Sequence, residues 1–108
     1  MNFQEVVRQL ADENAAPGAD LSGVNLSETG LSGADLSGAN LCRAYLCGAN
    51  LHGACLRNAN LHDTCLCGAY LSGVDLRGAN FLGVRYSAST QFPDGFVVQS
   101  GMILIRNR

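Results

Sequence analysis

Leucine recurs at every fifth position from Leu21 to Leu76, and the series runs on through Phe81 and Tyr86. A helix returns side chains to one face about every 3.6 residues and a strand does so at every second residue, so a period of five belongs to neither. From Ala19 to Ala88 the chain divides into consecutive fives with no insertion or deletion. A fold with this period has to repeat a short straight element followed by a bend.

Each position in the five has its own chemistry. Two residues before each leucine the side chain is small or β-branched, mostly Ala, with Val24, Thr29, Thr64, Val74 and Val84 as variants. Residues two apart on an extended segment share a face, so this residue and its leucine point the same way, into the core. The expected core is therefore Leu21, Leu26, Leu31, Leu36, Leu41, Leu46, Leu51, Leu56, Leu61, Leu66, Leu71, Leu76, Phe81 and Tyr86. The residue between them points out, and it is usually Asp or Asn, as at Asp20, Asn25, Asp35, Asn40, Asn50, Asn60, Asp75 and Asn80.

After each leucine come two corner residues, the second of them most often Gly, which accepts a positive φ without steric cost. Glu28 and Arg43 stand at that glycine position and are expected to avoid positive φ, whereas Asn58 and Asp63 tolerate it. Two kinds of corner are expected. Sides that bend the same way repeatedly close into a coil, and parallel crossovers favour the right hand. The fold class that follows is an all-β, right-handed β-solenoid.

The units ADLSG, ANLCR, ANLHG and VDLRG resemble the pentapeptide-repeat protein family, and the resemblance covers about two-thirds of the chain. It implies a right-handed quadrilateral β-helix with four units per coil, about three and a half coils here, stacked about 4.8 Å apart. Asn40, Asn60 and Asn80 would then form a ladder on one face. The likeness is to short bacterial members, many of them cyanobacterial. It implies a non-enzymatic scaffold or protein-interaction module, with no cofactor, and an unidentified protein as partner. An alternative drawn from the same family is a DNA-mimicking binder of DNA gyrase or topoisomerase. The charge weakens it, because Asp20, Glu28, Asp35, Asp63 and Asp75 face Arg43, Arg57, Arg77 and Arg85 within the repeats.

A stack of coils leaves bare leucines and unpaired edges at both ends, and both need covers. Three regions are expected: a capping helix and linker at 1–18, the repeats at 19–88 and a C-terminal cap at 89–108. Phe3, Val6, Val7 and Leu10 recur at helical spacing, predicting an amphipathic helix over residues 3–14. In the tail, Pro93-Asp94-Gly95 signals a turn, and the apolar segments FVV and MILI are expected to form an extended or hairpin-like cap, with end-to-end pairing of two copies as the alternative to a monomer. The longest apolar stretch, Met102–Ile105, is far too short to span a bilayer, and the first residues lack the apolar run of a signal peptide. A soluble, cytoplasmic protein is expected, with no membrane partner.

With seven basic residues, all Arg, against nine acids, there is no basic field for nucleic acid. Five cysteines, Cys42, Cys47, Cys55, Cys65 and Cys67, are expected as free thiols. Folding the register onto four faces sets Cys47 under Cys67, Cys42 under His62 and Arg57 under Arg77. A metal site would recruit Cys47, Cys65 and Cys67 with Cys42 and His62 nearby, but outward vectors on adjacent faces diverge, so no metal ligand set is assigned. Thiol redox or metal sensing by these cysteines is a third functional class. A Cys47–Cys67 disulfide is disfavoured by parallel side-chain vectors. His52 and the His62-Asp63 pair are read as solvated corners, with no nucleophile or concave pocket beside them, and no catalytic residue is assigned. Tyr45 and Tyr70 point outward on different faces and are candidate anchors for a partner.

Overall fold

The computed structural model describes residues 3–106, without the side chains of Phe3, Gln4 and Val7. Half of the apolar stripe expected on the capping helix, Phe3 and Val7, therefore lies outside the described side chains. Helix α1 spans Phe3–Glu13. Its Val6 is fully enclosed, and Leu10 packs against the same core as the repeats. The helix stops one residue earlier than expected, because Asn14 adopts a left-handed φ of 52° while donating its N–H to the Leu10 carbonyl at 3.0 Å. Asn is among the few residues that take this conformation at modest cost, and it ends helices for that reason. The Asn14 side chain then donates to the Ser32 carbonyl at 2.8 Å, tying the helix end to the repeats.

The chain pairs with itself in parallel, each outward residue bridging the one twenty positions on, except that Tyr70 bridges Gln91, twenty-one on. Four columns result: Ala15–Asp35–Cys55–Asp75, Asp20–Asn40–Asn60–Asn80, Asn25–Tyr45–Cys65–Arg85 and Gly30–Asn50–Tyr70–Gln91. Each bridge is flanked by two backbone hydrogen bonds, as where Asn40 N–H reaches Ala19 O and Leu21 N–H reaches Asn40 O, both at 2.8 Å. Pairing begins before Ala19. Ala15 bridges Asp35, Ala16 is enclosed where a leucine would stand, and Gly18 turns with φ of 68°. Residues 14–18 thus form a degenerate unit of the repeat, not a linker. Ala16 suffices there because Val6 and Leu10 of α1 supply the missing apolar bulk to the same cluster.

One corner geometry serves throughout, contrary to the expectation of two. Every corner from Gly18 to Gly83 has positive φ at its third residue, including Glu28 at 62° and Arg43 at 60°. Each is closed by a bond such as Ala44 N–H to Leu41 O at 2.9 Å, the type II pattern. The neighbouring turn of chain overrides the local preference: Arg43 N–H must face His62 O, at 2.8 Å, and only this conformation aims it there.

The leucines from Leu21 to Leu71 are buried as expected. Leu76, Phe81 and Tyr86 are corrections, being only half-buried. They lie on the last full turn, where no further complete turn covers them. Their partial cover is aromatic: Phe96 meets Phe81 edge-on with ring centroids 5.3 Å apart, Phe92 meets Tyr86 at 5.6 Å, and Phe92 and Phe96 stack at 4.7 Å.

The winding continues past Ala88, with one residue added. Gln91 bridges Tyr70, and the longer corner is held by hydroxyls, with Ser87 N–H donating to Thr90 Oγ1 at 3.0 Å and Thr90 Oγ1 donating to Leu66 O at 2.8 Å. The tail makes no hairpin. Strand β1, Arg85–Tyr86, pairs in parallel with β2, Ile103–Leu104, extending the Tyr45–Cys65–Arg85 column by one place. The tail keeps the direction of winding of the turns beneath it, which forbids an antiparallel return. Among the described residues no helix is long and apolar enough to cross a membrane.

Candidate functional site

The outward Asp and Asn side chains are spent largely on the fold. Asp20, Asp35 and Asp75, and Asn25, Asn40, Asn50, Asn60 and Asn80, each accept the backbone N–H two residues ahead, at 3.0 to 3.2 Å, bracing the corner. The Asn40–Asn60–Asn80 ladder is present, with Asn60 Nδ2 at 3.5 Å from Asn40 Oδ1 and Asn80 Nδ2 at 3.4 Å from Asn60 Oδ1. What remains for recognition is whatever replaces these residues.

One such replacement, Cys65, meets two cysteines on the adjoining corners. Cys65 stands where an Asp or Asn would, and its sulfur lies 2.6 Å from that of Cys47 on the turn below. Cys67, the expected vertical partner of Cys47, makes no hydrogen bond to it among the described residues and instead influences Cys65 from the side. Burial pushes the Cys65 thiol up, but the neighbouring Cys47 and Cys67, with the Arg85 charge nearby, carry it below the ordinary value. Burial first, then the neighbouring Cys65, raises Cys47 and pushes Cys67 up to about 11. Among the described residues no group of three His, Cys, Asp or Glu side chains is placed to hold a metal ion.

A second cluster joins Arg57, Asp75 and Arg77. Arg77 clamps Asp75 through two bonds, Nε to Oδ1 at 2.9 Å and Nη2 to Oδ2 at 2.7 Å, and Arg57 Nε lies 3.8 Å away. Hydrogen bonding to Arg77 outweighs burial and lowers the Asp75 carboxyl to about 2. The two arginines expected to stack on one another converge instead on the Asp75 carboxylate.

The histidines differ from expectation in one respect. His52 Nδ1 lies 2.8 Å from Ser72 Oγ, so a hydroxyl does stand beside a corner histidine. His62 Nε2 contacts Asp63 Oδ2 at 3.2 Å. The two pairs share no residue, and among the described residues no acidic side chain is hydrogen-bonded to His52 to complete a relay. Tyr45 and Tyr70 are half-exposed and stand in neighbouring columns.

The C-terminal end carries features that the sequence reading missed. A cleft of about 510 Å³ lies between Val74–Ala79 and the tail loop of Pro93, Phe96 and Gln99. Along it, among the described residues, the N–H groups of Leu76, Gly78 and Phe81 have no backbone acceptor. Leu82, Val97, Val98 and Ile103 expose apolar surface at the same end. The signal for this edge was the early loss of the register, which leaves one side of the last turn without a strand above it.

Comparison with known proteins follows from this geometry. A family model described as pentapeptide repeats, in eight copies, matches residues 16–41, 25–63 and 55–85. Among solved structures the chain is similar to alr5209, a pentapeptide repeat protein from Nostoc Pcc 7120, with 28% identity over 96% of each chain and a TM-score of 0.50. It is similar to HetL, a pentapeptide repeat protein involved in heterocyst differentiation regulation in Nostoc sp. strain PCC 7120, at 40% identity over 65% of this chain and 35% of that one, with a TM-score of 0.37. QnrB1, a plasmid-mediated fluoroquinolone resistance protein, shares the fold at 20% identity over 84% of this chain and 58% of its own, with a TM-score of 0.54. No curated protein matches the chain.

Proposed function

The chain belongs to the pentapeptide-repeat family, and on that premise we propose that it is a non-enzymatic scaffold that binds a protein partner through side chains fixed on its faces. The reading takes the twenty-residue pairing as a right-handed quadrilateral β-helix working in the cytoplasm, as a monomer or as an end-to-end homodimer through the C-terminal segment. The observation that carries it is the bracing of the corners: backbone and Asp or Asn side chains are mutually satisfied, so substituted positions such as Tyr45 and Tyr70 are presented on a rigid frame. A rigid frame lowers the ordering cost of binding. The test is capture from native extract by the wild-type protein and by a Tyr45→Ser, Tyr70→Ser double variant. One stoichiometric protein retained by the former and lost from the latter supports the reading; capture that is equal for both, or absent, overturns it.

Binding to DNA gyrase or topoisomerase is the second reading, favoured by the shared fold with QnrB1. The charge distribution opposes it. Asp35 and Asp75 share a column but are separated by Cys55, and Asp75 is neutralised by Arg77. A supercoiling assay is expected to show neither inhibition nor quinolone protection at moderate protein concentration, whereas potent inhibition at submicromolar protein would reinstate this reading.

A further inference from the structure

Among the described residues the only two sulfurs in direct polar contact belong to Cys47 and Cys65, eighteen residues apart in sequence and on successive turns of the chain. The placement follows from the pairing. Cys65 bridges Tyr45, two residues before Cys47. Asp and Asn at the Cys65 position reach toward the residue two ahead, and the Cys65 sulfur ends 2.6 Å from that of Cys47, which stands two residues after Tyr45, its bridge partner. The diagonal approach removes the obstacle that parallel side-chain vectors pose for a Cys47–Cys67 bond.

We propose that Cys47 and Cys65 are a modification site for low-molecular-weight disulfides, at which the chain acquires an internal disulfide joining two successive turns. The reaction is a thiol–disulfide exchange. The Cys65 thiolate attacks one sulfur of RS–SR, forming Cys65–S–SR and releasing RS⁻, which takes the proton of the Cys47 thiol. The Cys47 thiolate then attacks Cys65 Sγ, forming the Cys47–Cys65 bond and expelling the second RS⁻, which takes up the proton Cys65 gave up on ionising. Two protein thiols are oxidised and one external disulfide is reduced to two RSH.

The surroundings assign these roles. Burial opposes ionisation of Cys65, but the Cys47 thiol against it, Cys67 beside it and the charge of Arg85, its bridge partner, outweigh burial and favour its thiolate. Cys47 and Cys67 are pushed the other way, so the attacking group is Cys65. All three thiols are partly exposed, which leaves room for a small disulfide to approach. The site is independent of the interaction reading above.

The experiment treats the reduced full-length protein with oxidised glutathione, quenches in acid, unfolds and digests with trypsin without reduction. Cleavage after Arg43, Arg57 and Arg77 separates the peptide holding Cys47 and Cys55 from that holding Cys65 and Cys67. The expected product is these two peptides joined within one chain, lighter by two hydrogens, with fragmentation placing the bond at Cys47 and Cys65. Cys47→Ser is expected to trap a glutathione adduct on Cys65, and Cys67→Ser still to form the bond. A Cys65–Cys67 bond inside one peptide, a bond between chains, or glutathione scattered over the five cysteines with no Cys47–Cys65 product overturns the proposal. The wild-type mapping decides it even if a variant fails to fold.

Discussion

Thr64 and Leu41 lie 23 residues apart in sequence, yet the Thr64 hydroxyl donates to the Leu41 carbonyl oxygen at 2.6 Å from a fully enclosed position. That carbonyl also closes a corner by accepting the Ala44 N–H, so one oxygen serves both a corner and the turn above it. Thr64→Val keeps the shape and removes only the hydroxyl. It is expected to lower stability by about 0.5–1.5 kcal/mol, read from denaturant melts. No loss at all would show that the bond is compensated elsewhere.

The leucine column is the strongest test of the inward assignment. Leu51 is fully enclosed, so Leu51→Lys places a charge among apolar side chains and is expected to abolish folding or cause aggregation. Ser32→Lys, on an exposed corner, is expected to stay within about 0.5 kcal/mol of wild type. Similar melting temperatures for the two would contradict the packing described.

Left-handed corners give a graded series. Arg43 holds a φ of 60° and has no ion pair among the described residues, so Arg43→Gly is expected to stabilise by up to about 1 kcal/mol. Gly53→Ala meets open space and pays only for its φ of 70°, about 1 kcal/mol. Gly78→Ala adds a clash with the Asn58 side chain and is expected to cost more than Gly53→Ala. Thermal melts of the three variants in parallel would rank them.

Asp75 gives a pH signature. Its folded carboxyl titrates at about 2, below the roughly 3.9 of an unfolded chain, so the clamp contributes in full above about pH 4 and is lost as pH falls toward 2. Arg77→Gln is expected to move the titration midpoint of Asp75 up toward the ordinary value, followed by NMR of its carboxyl carbon. A midpoint that stays put would assign the shift to something other than Arg77.

Removing residues 92–108 strips Phe92 and Phe96 from Tyr86 and Phe81, and with them the strand that pairs with β1. The truncated chain is expected to aggregate, whereas loss of residues 106–108 alone is expected to be harmless. Light scattering separates the two. A soluble, monomeric truncation with unchanged melting temperature would mean that the tail is no cover.

Much of this fold was legible because the repeat assigns each position its own chemistry. The inward leucines and the capping helix follow from spacing and side-chain type, and the Asn ladder follows once the family resemblance supplies four units per coil. Glu28 and Arg43 were misread because local preference argues against positive φ, while the hydrogen bonds that enforce it come from residues nineteen positions on. The Cys47–Cys65 contact was missed for a related reason. Stacking by multiples of twenty pairs Cys47 with Cys67, and only the forward reach of the outward side chain shifts the contact to Cys65. Past Ser87 the added residue breaks the count, so Gln91 under the tail and the parallel return of Ile103 could not be read from a period of five.

The corners repeat every five residues whereas vertical neighbours repeat every twenty, and the ratio makes the molecule behave like a combination lock. Inserting or deleting one whole unit leaves every leucine inward and every corner intact, yet advances all later side chains by a quarter of a revolution. Cys65 would then leave Cys47, and Arg57 would part from Asp75, with the loss inside confined to register-specific bonds such as that of Thr64 to Leu41. Mutation by units of five thus lets such a chain redial its surface combinations while its leucine column stays inward.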